Sequence, residues 1–351
     1  MCLVGLPLAS PRKGFDYQKA DQVEKQFEEI RALVRRYRDH PALLLWNIGN
    51  EPEIGTSEAE RVPLWREVNR IARMVKEEDP NHPVIAVMGD AYRRLLPELD
   101  QHCPALDGVG LNAYLDMLTL PEDLVRLGWT RPYIVTEFGP RGHWQVPKTP
   151  WRVPIEDSST DKASFYLRAY RHAVEGRPQC LGAYAFYWSH KQEKTHTWYG
   201  MFLPDGSPTA AVETMRYLWT GQWPTNRCPR IGPHPITLKH APTGPDQKGW
   251  VLMAGQTVQV EVDVTDPDGD PLTVTWELRP DTADDPNVGG DYEPPTVPIS
   301  EAIAATSSDE RMADVRLPGR PGKFRLFVYA RDPHGNAATA NQPVLVVERA
   351  P

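Results

Sequence analysis

Cysteine is scarce in this chain: Cys2, Cys103, Cys180 and Cys228 stand far apart, with no CxxC and no Cys/His spacing. That scatter disfavours a zinc site and a disulfide framework alike, and buried free thiols are the simpler reading. Long apolar runs are lacking too. The richest, such as Ala42 to Trp46, fall far short of the roughly 20 residues a membrane-spanning helix requires, so no span is expected. There is no excess of positive charge either: 39 Lys and Arg stand against 47 Asp and Glu, for a formal net charge of -8. Such a balance leaves no basic field to hold a phosphate backbone and argues against nucleic acid as a partner; neutral substrates fit better. The opening Met-Cys-Leu-Val-Gly-Leu-Pro-Leu lacks the positive lead of a signal peptide and reads as a strand. Localisation stays open, with secretion of a full-length protein among the options.

What is present is enough for a full core. With 351 residues, 40% of them apolar and 25% charged, the chain reads as globular and as more than one domain. Eleven Trp and thirteen Tyr suit a site that stacks on flat sugar faces, although large aromatics also fill cores. Up to about Gly221, short apolar runs alternate with helical patterns, the signature of repeated βα units around a parallel sheet. Strands are expected at Cys2–Leu8, Leu43–Asn50, Val84–Gly89, Gly108–Asn112, Tyr133–Glu137 and Leu181–Trp188. Between the first two, Val23, Phe27, Ile30, Val34 and Tyr37 recur at steps of four and three and give one apolar helix face. Further helices are expected over Val62–Glu78, Tyr92–Leu99, Pro121–Leu127, Lys162–Glu175 and Thr209–Trp219. That makes six strands and six helices, whereas a closed (β/α)₈ barrel takes eight of each in roughly 250 residues. The fold class expected is therefore α/β, a TIM barrel shortened at its N-terminus so that Met1 falls at the third barrel strand.

Near Pro224 the composition changes, and the Pro-rich stretch 223–235 reads as a linker that closes a catalytic domain at 1–222. Beyond it, Thr257-Val-Gln-Val-Glu-Val-Asp-Val, Leu272-Thr-Val-Thr-Trp-Glu-Leu, Arg325-Leu-Phe-Val-Tyr-Ala and Pro343-Val-Leu-Val-Val alternate at period two. A small all-β sandwich over 236–351 is expected, with a long loop from Asp281 to Pro298.

Two segments carry chemistry. In Leu43-Leu-Leu-Trp-Asn-Ile-Gly-Asn-Glu-Pro-Glu, and again in Tyr133-Ile-Val-Thr-Glu-Phe-Gly-Pro, an apolar strand ends in a carboxylate, Glu51 and Glu137. The strand ends of a barrel form its functional mouth. Glycosidic cleavage needs such a pair, one acid to protonate the leaving oxygen and one carboxylate opposite; a gap of about 5–5.5 Å permits direct attack, and roughly 6.5–9.5 Å leaves room for a water. The shorter gap is expected here. Singly, either Glu is as readily a cap or a salt-bridge residue. Asn50, Asn112, Tyr114 and Trp188 lie at strand ends of the same mouth, each with an ordinary alternative as a loop or core residue. The later loops hold His143, Trp144, Trp151, His190, His196, Trp198 and Tyr199, among which Trp144 and Trp198 are candidate sugar platforms against simple loop packing.

Trp46-Asn-Ile-Gly-Asn-Glu, preceded by Tyr37-Arg-Asp-His-Pro-Ala, together with Thr136-Glu-Phe-Gly, resembles the acid/base and nucleophile signatures of the clan of retaining barrel glycosidases. The likeness is nearest to the barrel domain of family 2 glycoside hydrolases and covers about residues 1–220. It implies Glu51 as general acid/base, Glu137 as nucleophile, Asn50 on the substrate 2-hydroxyl, Tyr114 on the nucleophile and Trp188 as the floor of the sugar subsite. Departures are the two absent barrel strands, the second of which commonly supplies an arginine in relatives, and a sandwich that follows the barrel rather than preceding it.

In the tail, Asp266-Pro-Asp-Gly-Asp-Pro-Leu places Asp266, Asp268 and Asp270 at alternate positions, but Pro271 stands where a calcium-binding helix-loop-helix needs Gly. A β-turn is the stronger reading, with weak calcium binding as the alternative. The segment resembles immunoglobulin-like modules of the polycystic-kidney-disease or cadherin-like type. No cofactor is expected. The function expected is retaining hydrolysis, or transfer, of β-linked sugars in an oligo- or polysaccharide; the alternative is a non-catalytic carbohydrate-binding protein with an incomplete barrel, whose open edges would favour self-association.

Overall fold

The computed structural model describes residues 1–239, 249–283 and 293–348. The chain divides into two compact units, one of Met1–Phe138 with Ala169–Tyr184, the other of Gly139–Arg168 with Ala185–Pro351.

The first unit is a six-stranded sheet in sequential order: β1 (Cys2–Leu6), β2 (Leu43–Asn50), β3 (Val84–Met88), β4 (Gly108–Asn112), β5 (Tyr133–Phe138) and β6 (Cys180–Ala185). Neighbours from β1 to β5 pair in parallel, and β3 and β4 are buried at every position, as strands covered on both faces are. Helices α1 (Ala20–Tyr37), α2 (Glu58–Glu78), α3 (Tyr92–His102), α4 (Leu120–Arg126) and α5 (Ser159–Ala173) connect successive strands. This is the strand-helix repeat of a TIM barrel, carried through six strands.

Sequence accounts for these elements locally. In α1 the inward face is Gln26, Phe27, Ile30 and Val34, while Tyr37 turns outward. Helix α2 starts earlier than its apolar pattern, because Ser57 and Glu60 form a capping box: the Ser57 backbone N–H donates to Glu60 Oε2 at 2.8 Å and its hydroxyl at 2.6 Å. Strand β2 is seated from below by Trp46, a fully buried side chain whose indole N–H donates to Asp79 Oδ2 at 2.8 Å. Asp79 is the C-cap of α2, so one bond ties the strand that carries Glu51 to the helix that follows it.

The second unit contains α6 (Ala210–Thr220) and two four-stranded sheets. These are built from β7 (Arg230–Leu238), β8 (Trp250–Met253), β9 (Thr257–Thr265), β10 (Thr273–Pro280), β11 (Ile303–Thr306), β12 (Met312–Arg316), β13 (Gly322–Arg331) and β14 (Ala337–Val347). One sheet runs β10-β13-β14-β8, the other β11-β12-β9-β7. Alternation at period two places Val258, Val260, Val262 and Val264 of β9 against Val274, Trp276, Leu326 and Val328 of the opposite sheet in one core. The expected linker is in its second half a strand. Its prolines Pro233 and Pro235 fall where the β7–β9 register shifts, on an edge strand, where a missing N–H costs no ladder bond.

Residues 139–168 and 185–222 pack with the sandwich, so the division expected at 222 falls inside this unit. The cause is a buried polar network. The Glu156 carboxylate accepts from Lys162 Nζ, from the hydroxyls of Thr195 (2.6 Å) and Thr197 (2.8 Å), and from Asn341 Nδ2 (2.7 Å) of β14. Arg325 of β13 is likewise buried and donates to Asp281, Asn341 and the Pro154 carbonyl. Of the long loop expected from Asp281 to Pro298, 281–283 and 293–298 are irregular and the remainder lies outside the described residues. No described helix is long and apolar enough to cross a membrane.

Candidate active site

The site is assembled at the carboxyl ends of β2 to β5. Strand β2 carries one extra residue there: the three steps from Asn47 to Asn50 face the two from Ile85 to Val87 on β3. Gly49 absorbs the bulge at φ +75°, and a Cβ on it would lie 2.9 Å from Leu8 Cβ and Cδ2, so conformation and contact both require glycine. Glu51 follows in the left-handed region at φ +47°, a backbone state that costs a side-chain-bearing residue about 1–3 kcal/mol. Its N–H donates to the Val87 carbonyl at 3.0 Å, and its carboxyl lies across Gly89, where a Cβ would come within 2.7 Å of Glu51 Oε1.

Asn112, at the end of β4 and only 1% exposed, links the carboxylate segments. Its Nδ2 donates to Asn50 Oδ1 at 3.1 Å and to Glu51 Oε1 at 3.0 Å, and its Oδ1 accepts from the Thr136 hydroxyl at 2.7 Å. Asn112 also pairs in register with Glu137 across a second irregularity, between Leu111 and Asn112. The Tyr114 hydroxyl donates to Glu137 Oε2 at 3.0 Å. A cavity of about 240 Å³ opens among these strands, with Asn47, Asn50, Thr136, Glu137 and Tyr184 in its wall. Asn47 Oδ1 is buried there without a hydrogen-bond partner, an acceptor suited to a hydroxylated ligand. The arrangement can hold a polyol against two carboxylates carried on separate strands.

The residues singled out from sequence thus separate into groups. Asn50, Glu51 and Asn112 are joined directly, and Tyr114 is joined to Glu137. The three tryptophans belong to the second unit. Trp144 is 46% exposed and stands edge-on to His143 at 4.9 Å; Trp188 is 50% exposed and packs on Phe202 and Trp219. Trp198 is a correction: it is 1% exposed with its indole N–H donated to the Arg141 carbonyl, so packing has taken the ring faces a sugar would need. Burial also pushes the His143 imidazole down to about 4, with Lys194 and Lys148 acting in the same direction, and keeps the ring neutral.

In the tail the β-turn reading is supported, since the Gly269 N–H donates to the Asp266 carbonyl at 3.3 Å while Asp266 Oδ1 accepts the backbone N–H of Asp268 and of Asp270. The carboxylates that approach one another are Asp266, Asp270 and Asp332, within 4.8 Å. Asp268 is not among them, because it accepts the Arg227 backbone N–H at 2.6 Å. Asp332, Asn47, Thr136, Gly89 and Glu53 were given no site role from sequence. Of these Asn47, Thr136 and Glu53 stand within the two carboxylate segments themselves.

Residues 14–145, which contain Glu51, Asn112, Tyr114 and Glu137, match the family described as glycosyl hydrolases family 2, TIM barrel domain. This part of the chain is thus similar to the barrel domain of family 2 glycoside hydrolases. Among individual relatives, a protein of Aspergillus flavus named probable mannan endo-1,4-β-mannosidase F is 32% identical over 113 residues, covering 32% of this chain and 23% of its own. Mannan endo-1,4-β-mannosidase F of Aspergillus clavatus is 40% identical over 55 residues, 16% of this chain and 12% of its own. The chain therefore aligns with about a quarter or less of these curated relatives. Among solved structures, Bacteroides uniformis β-glucuronidase aligns with 94% of this chain and 37% of its own at 14% identity and a TM-score of 0.40. Bifidobacterium dentium β-glucuronidase, complexed with coumarin-3-O-glucuronide, aligns with 58% of this chain and 35% of its own at 21% identity and a TM-score of 0.44.

Proposed function

We propose that the chain carries the catalytic carboxylates of a glycosidase that cleaves, or transfers, β-linked sugars with retention, Glu51 acting as general acid/base and Glu137 as nucleophile. The observation that carries this reading is Asn112, whose one side chain bonds the Glu51 segment while its backbone position pairs with Glu137, beside a cavity of about 240 Å³ that Asn50 and Glu137 line. In the first step Glu137 attacks the anomeric carbon, the glycosidic C–O bond breaks, and Glu51 delivers its proton to the leaving oxygen. In the second, Glu51 takes a proton from water, or from an acceptor hydroxyl, which displaces Glu137. Tyr114 orients the nucleophile by its hydrogen bond to Oε2. Asn50 and Asn47 are suited to reading sugar hydroxyls, and Trp144 and Trp188 to stacking on sugar faces in the second unit. The names of the Aspergillus relatives make β-mannan a first substrate to test, beside aryl β-glucuronides and β-galactosides.

The test is turnover on a panel of aryl β-glycosides, followed by trapping with 2-fluoroglycosides and peptide mass mapping. Label on the peptide containing Glu137, absent in Glu137→Ala, is expected; label elsewhere overturns the assignment. A second reading, glycan binding without cleavage, draws on the half-exposed rings of Trp144 and Trp188. Saturable glycan binding with no turnover by the folded chain would select it.

A further inference from the structure

The turn after β2 holds a second carboxyl that this mechanism does not use. Glu53 is 3% exposed. Its Oε1 accepts the Gly89 N–H at 2.8 Å, while Oε2 is buried without a hydrogen-bond partner. The same Gly89 is the surface on which the Glu51 carboxyl rests. One peptide is thus gripped by Glu53 and overlain by Glu51.

The charged groups around this turn leave Glu53 without a counterion among the described residues. Arg12 runs along Gly55, Arg61 is committed to Glu98 and the Thr56 carbonyl, Glu60 faces Ser57, and Asp90 beyond Gly89 is exposed. Glu51, of the same sign, is the charge that acts on it. Burial foremost, with the Glu51 charge adding to it, outweighs the backbone hydrogen bonds and pushes Glu53 up to about 7. A buried acid with no cation holds its proton more tightly, and so does any acid that shares its surroundings with another.

We propose that Glu53 is a positioning residue for Glu51, clamping the peptide against which the Glu51 carboxyl lies. The inference rests on the acid/base reading of Glu51. Held up to about 7, Glu53 is neutral below that pH and grips the Gly89 N–H without setting a second negative charge beside Glu51. Gln at position 53 reproduces this neutral clamp, since its amide oxygen still accepts the Gly89 N–H, whereas Ala removes it.

The experiment has two arms. In the first, kcat/KM is followed against pH for the intact chain, Glu53→Gln and Glu53→Ala. Glu53→Gln, which keeps a neutral acceptor for Gly89, is expected to retain the parent kcat and both limbs below about pH 7. Glu53→Ala, which loses the clamp, is expected to fall in kcat at every pH with KM little changed. Equal losses in the two variants, or parent kcat in Glu53→Ala, overturn the proposal. The second arm needs no turnover: the Glu53 side-chain carboxyl is titrated by ¹³C NMR in the intact chain and in Glu51→Gln. A midpoint near neutrality that drops in Glu51→Gln is expected; a midpoint in the ordinary carboxylate range, or one that does not move, overturns the coupling. Absence of turnover with the NMR shift present refutes the hydrolase reading alone. Turnover with parent kcat in Glu53→Ala refutes the role of Glu53 alone.

Discussion

Asn112→Ala tests the site at its most connected point. The side chain makes three hydrogen bonds from a position closed to water: Nδ2 to Asn50 and to Glu51, and Oδ1 from Thr136. A bond to an ionisable carboxyl contributes about 1.5–3 kcal/mol and a neutral bond about 0.5–1.5. The Asn50 end is exposed and regains water on truncation, so a net destabilisation of about 2–4 kcal/mol is expected. For a cooperative unit of this size that is a fall in melting temperature of roughly 5–15 °C. The Glu51 bond alone, if it orients the acid in the transition state, corresponds to a loss of roughly 10- to 150-fold in kcat. Asn112→Asp keeps the volume but replaces the donor by an acceptor facing Asn50 Oδ1 and Glu51 Oε1. It is expected to be worse than Ala above the carboxylate range and to recover in part as the pH falls, because the protonated acid donates again. Calorimetry and pH-resolved kinetics on both variants decide the matter. An Asn112→Ala protein with unchanged melting temperature and kcat within threefold of the parent would refute the claim that this residue holds the acid in place.

Two further outcomes follow from single contacts. Gly89→Ala is expected to lower kcat by about 100-fold or more, since its Cβ would come within 2.7 Å of Glu51 Oε1 and must displace the acid; circular dichroism checks that the fold persists, and near-parent activity would rule out this placement of Glu51. Lys162→Met leaves the fully buried Glu156 without its nearest cation, for an expected loss of about 3–5 kcal/mol measured by chemical denaturation. Burial alone would raise Glu156, but Lys162, Arg325 and the Thr195 hydroxyl hold it below the ordinary carboxylate value. Its contribution is therefore complete above the unfolded-state pKa and is lost as the pH falls through the lower folded value. A melting temperature that stays flat on acidification in the parent would contradict that sign.

The parallel strands and the carboxylates at their ends were legible because each rests on a local pattern: an apolar run, a polar stop, a helix of period 3.6. Glu51, Glu137, Asn50 and Asn112 sit at strand ends where those patterns put them. The start of α2 was missed although Ser57 and Glu60 spell its cap, since the apolar face begins a turn later. What sequence could not supply was contact between distant segments. Trp198 has the composition of a sugar platform and becomes a core residue through a bond to Arg141, 57 positions away. The second half of the linker became a strand because β9 offered it a partner at the cost of one register shift. Residues 139–168 joined the sandwich through Glu156 and Arg325, a network that links positions more than 150 residues apart and leaves no periodicity to read.

Glu53 and Asn112 escaped full reading for the same reason, and together they account for a feature that would otherwise be unfavourable. The left-handed backbone of Glu51 is unfavourable by an amount comparable with one good hydrogen bond. Three contacts oppose its relaxation: the Val87 carbonyl holds the amide, Asn112 holds Oε1, and Gly89, fixed by Glu53, supports the carboxyl from the far side. Each comes from β3 or β4 or from the turn itself, so the direction of the acid is set by neighbouring strands rather than by the preference of its own residue. It follows that a change at Gly89, Asn112 or Glu53 should alter Glu51 more than a change of equal size within β2, where Trp46 acts through Asp79 and Gly49 lies against Leu8.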